Sequence, residues 1–152
     1  MLLVIDANVI FSALVNKGNV FKIFELNKTL NMFEFVMPEY LFKELVNKID
    51  ILLLQSKLSK EEIAEIFSFI KKQINPLSSL SFLDKLFEAI ELNSKDSPYL
   101  ALALKLDCGI FSGDKGLKKQ SKVKVFSPRE LLDMLEKEMK KLKEDSSESN
   151  KK

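Results

Sequence analysis

The chain has 152 residues, 46% hydrophobic and 30% charged, enough to bury one domain's core and unlike either a disordered chain or a membrane protein. Its net charge is only +2, and with Arg129 as the sole arginine any anion binding rests on lysine point charges rather than bidentate forks. There is no histidine and a single cysteine, Cys108, which excludes histidine-based triads, histidine general bases, histidine zinc sites and an internal disulfide.

The first apolar run, "LLVI" at 2–5, reads as a buried strand, and it stops on Asp6. Asn8 follows two residues later, and an apolar helical pattern resumes at once. "FEFV" at 33–36 is the second strand, and Pro38 opens a helix predicted from Glu39 into the 50s. That helix carries Glu44 among Leu41, Phe42, Leu45 and Val46. Ser59 and Glu62 match a capping box, opening a helix with Ile63, Ile66, Phe67 and Ile70 on one face. A further helix is predicted over 82–92. "SPYLALALKL" at 97–106 is another, very apolar one, preceded directly by Asp96.

"CGIF" at 108–111 forms the third strand, followed by Ser112 and by Asp114 in "SGDKG". The fourth, "VKVF" at 123–126, leads into a helix with Ser127 as cap, Pro128 in its first turn and Glu130 completing the box. Beyond Leu142 no apolar residue remains, so the domain is placed at 1–140 and 141–152 is expected to be a disordered charged tail. The four glycines form neither a GxGxxG nor a GxxxxGK[ST] loop. Strands alternating with helices argue for an α/β domain with a mainly parallel sheet. No apolar stretch reaches the ~18 residues of a membrane span. The N-terminus lacks a signal-peptide start, and the cytoplasm is the expected compartment.

Open parallel sheets gather functional groups beyond the carboxyl ends of their strands. Asp6 and Asp114 lie at such ends, Asp96 precedes a helix leading into one, and Glu44 lies in the helix following another. Each has an ordinary alternative: Asp6 or Asp96 as a helix cap, Glu44 as a solvated helix residue, Asp114 as a turn former. Together at one rim they are unstable without help. Two unit charges about 5 Å apart repel by roughly 3 kcal/mol at an effective dielectric of about 20. A hard divalent cation, Mg²⁺ or Mn²⁺, removes that conflict, and it suits phosphodiester hydrolysis by activating water near neutral pH.

The order and spacing of these segments resemble the PIN-domain ribonuclease family, many of whose members are VapC-like toxin halves of toxin–antitoxin pairs. The matching segments are "VIDANVIFSAL", "MPEYLFKELVNKI", "KDSPYLALAL" and "GIFSGDKGLKK", and the resemblance spans about Leu2 to Phe126. It implies a three-layer α/β/α sandwich with a central, mainly parallel sheet of four to five strands. It further implies an Mg²⁺- or Mn²⁺-dependent endoribonuclease, RNA as substrate, an antitoxin protein as partner, and a homodimer. In such a site Asp6, Asp96 and Asp114 hold metal and Glu44 binds metal or orients water. Asn8 and Ser112 support them by hydrogen bonds.

Lys115, Lys118 and Lys119, with Lys122 and Lys124, follow Asp114 and are candidates for the RNA backbone, although a lysine run is as readily a solvated face. A haloacid-dehalogenase-like phosphatase needs Asp-x-Asp after the first strand, and position 8 is Asn. A phosphorelay receiver needs an aspartate after "FEFV", where Met37-Pro38 stands. The remaining rival is a PIN-like module that binds RNA or protein without cutting, a rival that Pro98 keeps open through its effect on the helix start beside Asp96.

Overall fold

The computed structural model describes residues 1–149. Five strands form one sheet in the order β3-β2-β1-β4-β5, with every neighbouring pair parallel. They are β1 (Leu2–Ile5), β2 (Glu34–Pro38), β3 (Ile74–Leu77), β4 (Gly109–Phe111) and β5 (Val125–Phe126). Two helices, α1 (Ala7–Asn16) and α2 (Asn19–Leu30), connect β1 to β2. Three more, α3 (Glu39–Asn47), α4 (Ile49–Gln55) and α5 (Lys60–Lys71), connect β2 to β3. Next come α6 (Leu86–Leu92) and α7 (Ser97–Leu106), and after β5 the chain closes on α8 (Pro128–Ser149).

The strands are short and apolar on both faces because helices cover both faces. Leu3, Ile5, Phe35, Met37 and Phe111 point into one core, where they meet Ile10 and Leu14 of α1, Phe24 of α2, Ile63 and Ile70 of α5, and Leu131 and Leu135 of α8. Their sequence neighbours Val4, Val36, Ile110 and Val125 point the other way, onto α6 and α7 through Ala89, Leu100 and Ala103. Two cores on one sheet make the three-layer sandwich that the sequence pattern and the resemblance lead one to expect. The edge of the sheet is tightly drawn. A methyl group added at Gly109 would come within 2.8 Å of Phe126 Cε2 and 3.0 Å of the Lys124 carbonyl, so only glycine lets β4 lie this close to β5.

Helix ends follow local chemistry. Ser59 accepts from the Glu62 N–H at the start of α5. At α8 the box is complete: Glu130 N–H donates to Ser127 Oγ and Ser127 N–H donates to Glu130 Oε1, each at 3.2 Å. Asn31 and Asp107 end α2 and α7 in the left-handed region, which short polar side chains tolerate.

Four details differ from the expectations. β3 was not foreseen; "INPL" carries Pro76, tolerable because β3 is an edge strand. The single helix expected from Glu39 breaks at Lys48 into α3 and α4. The first part of the helix expected over 82–92 is a 3-10 turn, Leu83–Lys85, which follows another at Ser79–Ser81, so α6 begins only at Leu86. Lastly, α8 runs on through Ser149 rather than giving way to disorder at 141. The segment is rich in strong helix formers, and Glu136, Lys140 and Glu144 stand at i,i+4 spacing, so the helix persists although 140–148 is exposed. Residues 150–152 of the expected tail lie outside the described residues. No helix among those described is long and apolar enough to cross a membrane.

Candidate active site

The strand order reverses at β1, which lies between β2 and β4, and such a switch point leaves a crevice beyond the carboxyl ends of the strands. Asp6 and Ser112 stand there. Backbone pairing continues one step past the strands, with Asp6 N–H donating to the Phe111 carbonyl and Ser112 N–H to the Phe126 carbonyl, each at 3.0 Å. Both side chains are thereby fixed in the floor of the crevice.

Asp6 is 2% exposed, and both of its oxygens are held. Oδ1 accepts the Asn8 N–H at 3.0 Å, which caps α1, and Oδ2 accepts the Ser112 hydroxyl at 2.8 Å. Capping and a place in the crevice are therefore the same arrangement rather than alternatives. Ser112 Oγ also accepts the Asp114 N–H at 3.0 Å, and Asp114 Oδ1 accepts the Gly116 N–H at 2.8 Å. One buried hydroxyl thus ties the ends of β1 and β4 to the turn that carries Asp114. Asn8 enters this network through its backbone N–H, and it borders the cleft.

Asp96 arrives from the other layer, at the start of α7. Its N–H donates to Asn93 Oδ1 at 3.2 Å, while its side chain makes no cap bond despite its position. Oδ2 is buried without a hydrogen-bond partner, the one such side-chain atom found among the described residues. The Asp96 carboxyl is held above the usual aspartate range. Burial is the main cause, followed by the charges of Asp6 and Asp114 and a hydrogen bond to Asp114; Lys95 pulls the other way. Asp6 and Asp114, both distant from it in sequence, thus act on Asp96. Pro98 sits in the first turn of α7 without removing Asp96 from this group.

Glu44 is placed differently. It is exposed on α3, a helix that leaves the same end of the sheet, and its charge acts on the Tyr40 hydroxyl, which is raised mainly by burial and then by Glu44. It is not among the charges raising Asp96. Lys118 pairs with Glu130 and Lys122 with Glu88, and the Lys124 ammonium lies over the Phe126 ring at 4.8 Å. Lys115 and Lys119 are exposed.

Two residues near the acids were not singled out from sequence. Tyr99 looked like one more apolar position of α7, yet its buried hydroxyl accepts the Ala7 N–H at 3.1 Å and lies near Asp6 and Asp96. Burial, above all, pushes this phenol well above its ordinary range, so it stays neutral. Tyr99→Phe is expected to leave the Ala7 N–H without an acceptor, at a cost of about 1–3 kcal/mol, seen as a lower melting temperature. The second residue, Lys95, borders a cleft of about 400 Å³ with Asp6, Asn8, Ser12 and Asp114. A larger hollow of about 570 Å³ opens at the amino ends of β1, β2 and β3; Glu34 is the only acid along it.

Among the described residues no group of three or more acidic or cysteine side chains is placed so that it could hold a metal ion as the side chains stand. The donors nevertheless suit a hard, water-retaining cation. Mg²⁺ keeps several waters and takes only one or two carboxylates. Asp96 Oδ2 is buried, unpartnered and pressed by two neighbouring acids, which is the environment a divalent cation relieves. No curated protein matches the chain. The family model described as PIN domain matches residues 4–124, from β1 through the turns bearing Asp6, Asp96 and Asp114, and the chain belongs to the PIN domain family.

Proposed function

We propose that this protein is a ribonuclease hydrolysing RNA phosphodiester bonds with Mg²⁺ or Mn²⁺ held by Asp6, Asp96 and Asp114. PIN domains are commonly nucleases, which supports the reaction class. The single observation that carries the assignment is Asp96, a buried carboxylate with an unpaired oxygen beside two other acids. A merely structural aspartate at a helix start would cap it, and Asp96 does not. When bound, the cation supplies countercharge to the acids and a nucleophilic water at neutral pH.

The chain's own residues do the rest. Ser112 and the Asn8 N–H fix the Asp6 carboxylate in one orientation, so no reorganisation is needed when charge develops on the phosphate. The same Ser112 hydroxyl holds the backbone of Asp114. Asp96 offers the oxygen without a competing donor. Glu44, exposed on α3, is the acid free to orient the attacking water. Lys115 and Lys119, exposed beside Asp114, remain available to an RNA backbone, whereas Lys118 is engaged by Glu130.

By its resemblance to VapC-like chains, the protein is further assigned as the toxin half of a toxin–antitoxin pair, a homodimer in the cytoplasm restrained by an antitoxin. Expression in a bacterial host should arrest growth, and Asp6→Asn should abolish the arrest. The decisive experiment incubates purified protein with labelled RNA and Mn²⁺ or Mg²⁺. Cleavage is expected with either cation and absent with EDTA or in Asp6→Asn. Cleavage surviving either treatment refutes the mechanism. Binding without cleavage in every condition instead supports the non-catalytic module.

A further inference from the structure

α1 and α7 pack on opposite faces of the sheet, and their starts meet beyond the carboxyl end of β1. α1 begins at Ala7, directly after Asp6, and α7 begins at Ser97, directly after Asp96. The distance between these two helix starts therefore sets how far apart the two acids are anchored. Local chemistry leaves the start of α7 weakly tied. Asp96 makes no cap bond, and Pro98, the second helical residue, has no N–H to offer one. The charge of Asp6 also bears on Asp96 and drives the pair apart.

One hydrogen bond opposes that separation. Tyr99 follows Asp96 by three residues, a spacing that puts neighbours on one side of a helix. Its hydroxyl oxygen accepts the Ala7 N–H at 3.1 Å, the one hydrogen bond joining α7 to α1 among the described residues. The next two donors of α1 are met locally, the Asn8 N–H by Asp6 Oδ1 and the Val9 N–H by the Asp6 carbonyl, each at 3.0 Å. Only the partner of Ala7 arrives from the opposite layer. Tyr99 is 7% exposed and its phenol stays neutral, so it adds no charge to the acids. A phenylalanine would fill nearly the same volume, so packing does not call for the oxygen. Resting on the ribonuclease reading above, we infer that Tyr99 is a positioning residue, whose bond to Ala7 holds the start of α7 against that of α1 and fixes the spacing of Asp6 and Asp96. A preset spacing removes the work of drawing two helices together when a cation binds.

A double-mutant cycle tests this without metal. Melting temperatures in EDTA are read for Tyr99→Phe made in the parent protein and in Asp96→Asn. In the parent, release of α7 relieves the repulsion between Asp6 and Asp96, which offsets part of the lost hydrogen bond. Asp96→Asn has no such repulsion to relieve, so there Tyr99→Phe should lower the melting temperature further, by at least about 2 °C. Calorimetric titration of Mn²⁺ reads the second consequence. Tyr99→Phe should bind Mn²⁺ roughly tenfold more weakly, as expected when a group supporting a metal site is lost. The control is Ser56→Ala, because Ser56 Oγ donates to the Leu14 and Val15 carbonyls at the far end of α1, at 3.0 and 3.1 Å. It should lower the melting temperature equally in both backgrounds and leave Mn²⁺ binding unchanged.

An equal fall in both backgrounds overturns the positioning role and makes Tyr99 a core residue only. So does a Tyr99→Phe protein that binds Mn²⁺ as tightly as a parent that binds it. The two readings fail separately. A larger fall in Asp96→Asn, with no Mn²⁺ bound and no RNA cut by the parent, supports the positioning of Asp96 and refutes the ribonuclease. Equal falls, with RNA cut by the parent and Mn²⁺ affinity unaltered in Tyr99→Phe, refute the positioning and leave the ribonuclease.

Discussion

Replacing Asp96 by Asn is expected to make the metal-free protein more stable while stopping RNA cleavage. The two effects share one cause. Asp96 is 7% exposed and faces the charges of Asp6 and Asp114 with Oδ2 unpaired. Removing its charge relieves repulsion worth roughly 1–3 kcal/mol at an effective dielectric of about 20. For a chain of this size each kcal/mol moves the melting temperature by about 2–4 °C, upward here. Cleavage should fall by more than ~100-fold, since losing even an outer supporting group of a metal site can cost that much. A melting scan in EDTA, paired with a cleavage assay in Mn²⁺, checks both halves.

The same residue sets a pH dependence of definite sign. The folded protein holds the Asp96 proton to a higher pH than the unfolded chain does. Over the interval between the two pKa values the folded state therefore binds more protons, and stability falls as pH rises through it. Below the unfolded aspartate range the effect is absent, and above the raised value it is complete. Metal-free protein should lose melting temperature across that window, and Asp96→Asn should lose less. Asp84, Glu88 and Glu130 are lowered by hydrogen bonds to Lys105, Lys122 and Lys118 and so contribute with the opposite sign. They are surface pairs present in both proteins, so they drop out of the comparison.

Phe35→Ala should produce the largest loss of stability. Phe35 is 1% exposed on β2, and its ring lies 5.2 Å from that of Phe24, 6.0 Å from Phe33 and 5.8 Å from Phe111. It joins α2 and two strands, β2 and β4, that do not pair with each other. Truncating a buried phenylalanine costs about 3–5 kcal/mol, from lost transfer energy and the cavity left behind. Aromatic pairs add about 0.5–1.5 kcal/mol each beyond buried area, which places this site at the upper end. At about 5 kcal/mol, a fall in melting temperature of about 10–20 °C is expected by calorimetry. Phe87→Ala is the contrast: that ring is 85% exposed on α6, and its loss should be nearly silent.

The sheet was legible because its central strands are uninterrupted apolar runs, and burial on both faces demands such runs. β3 escaped because an edge strand tolerates Pro76 and needs little apolar content; of its residues only Ile74 is buried. The break at Lys48 escaped because the apolar pattern crosses it without a proline or glycine. The extension of α8 past 141 is not legible because the segment beyond Leu142 carries no apolar residue, yet Lys and Glu hold a helix without a core.

Asp6, Asp96 and Asp114 were legible as candidates because each sits at an element end, where a charged residue beside an apolar run stands out. The effect of Asp6 and Asp114 on Asp96 is not readable from any one segment, since it depends on α7 lying across the sheet from α1. Tyr99 was hidden by its setting, a phenol within "YLALAL" whose hydroxyl matters more than its ring. Lys95 was hidden because a lysine next to an aspartate reads as ordinary surface charge.

Calorimetric titration of Mn²⁺ into the purified metal-free protein addresses the three-aspartate site most directly. A saturable site is predicted, weakened at least tenfold by each of Asp6→Asn, Asp96→Asn and Asp114→Asn. No saturable binding, or binding that all three variants retain unchanged, would contradict it.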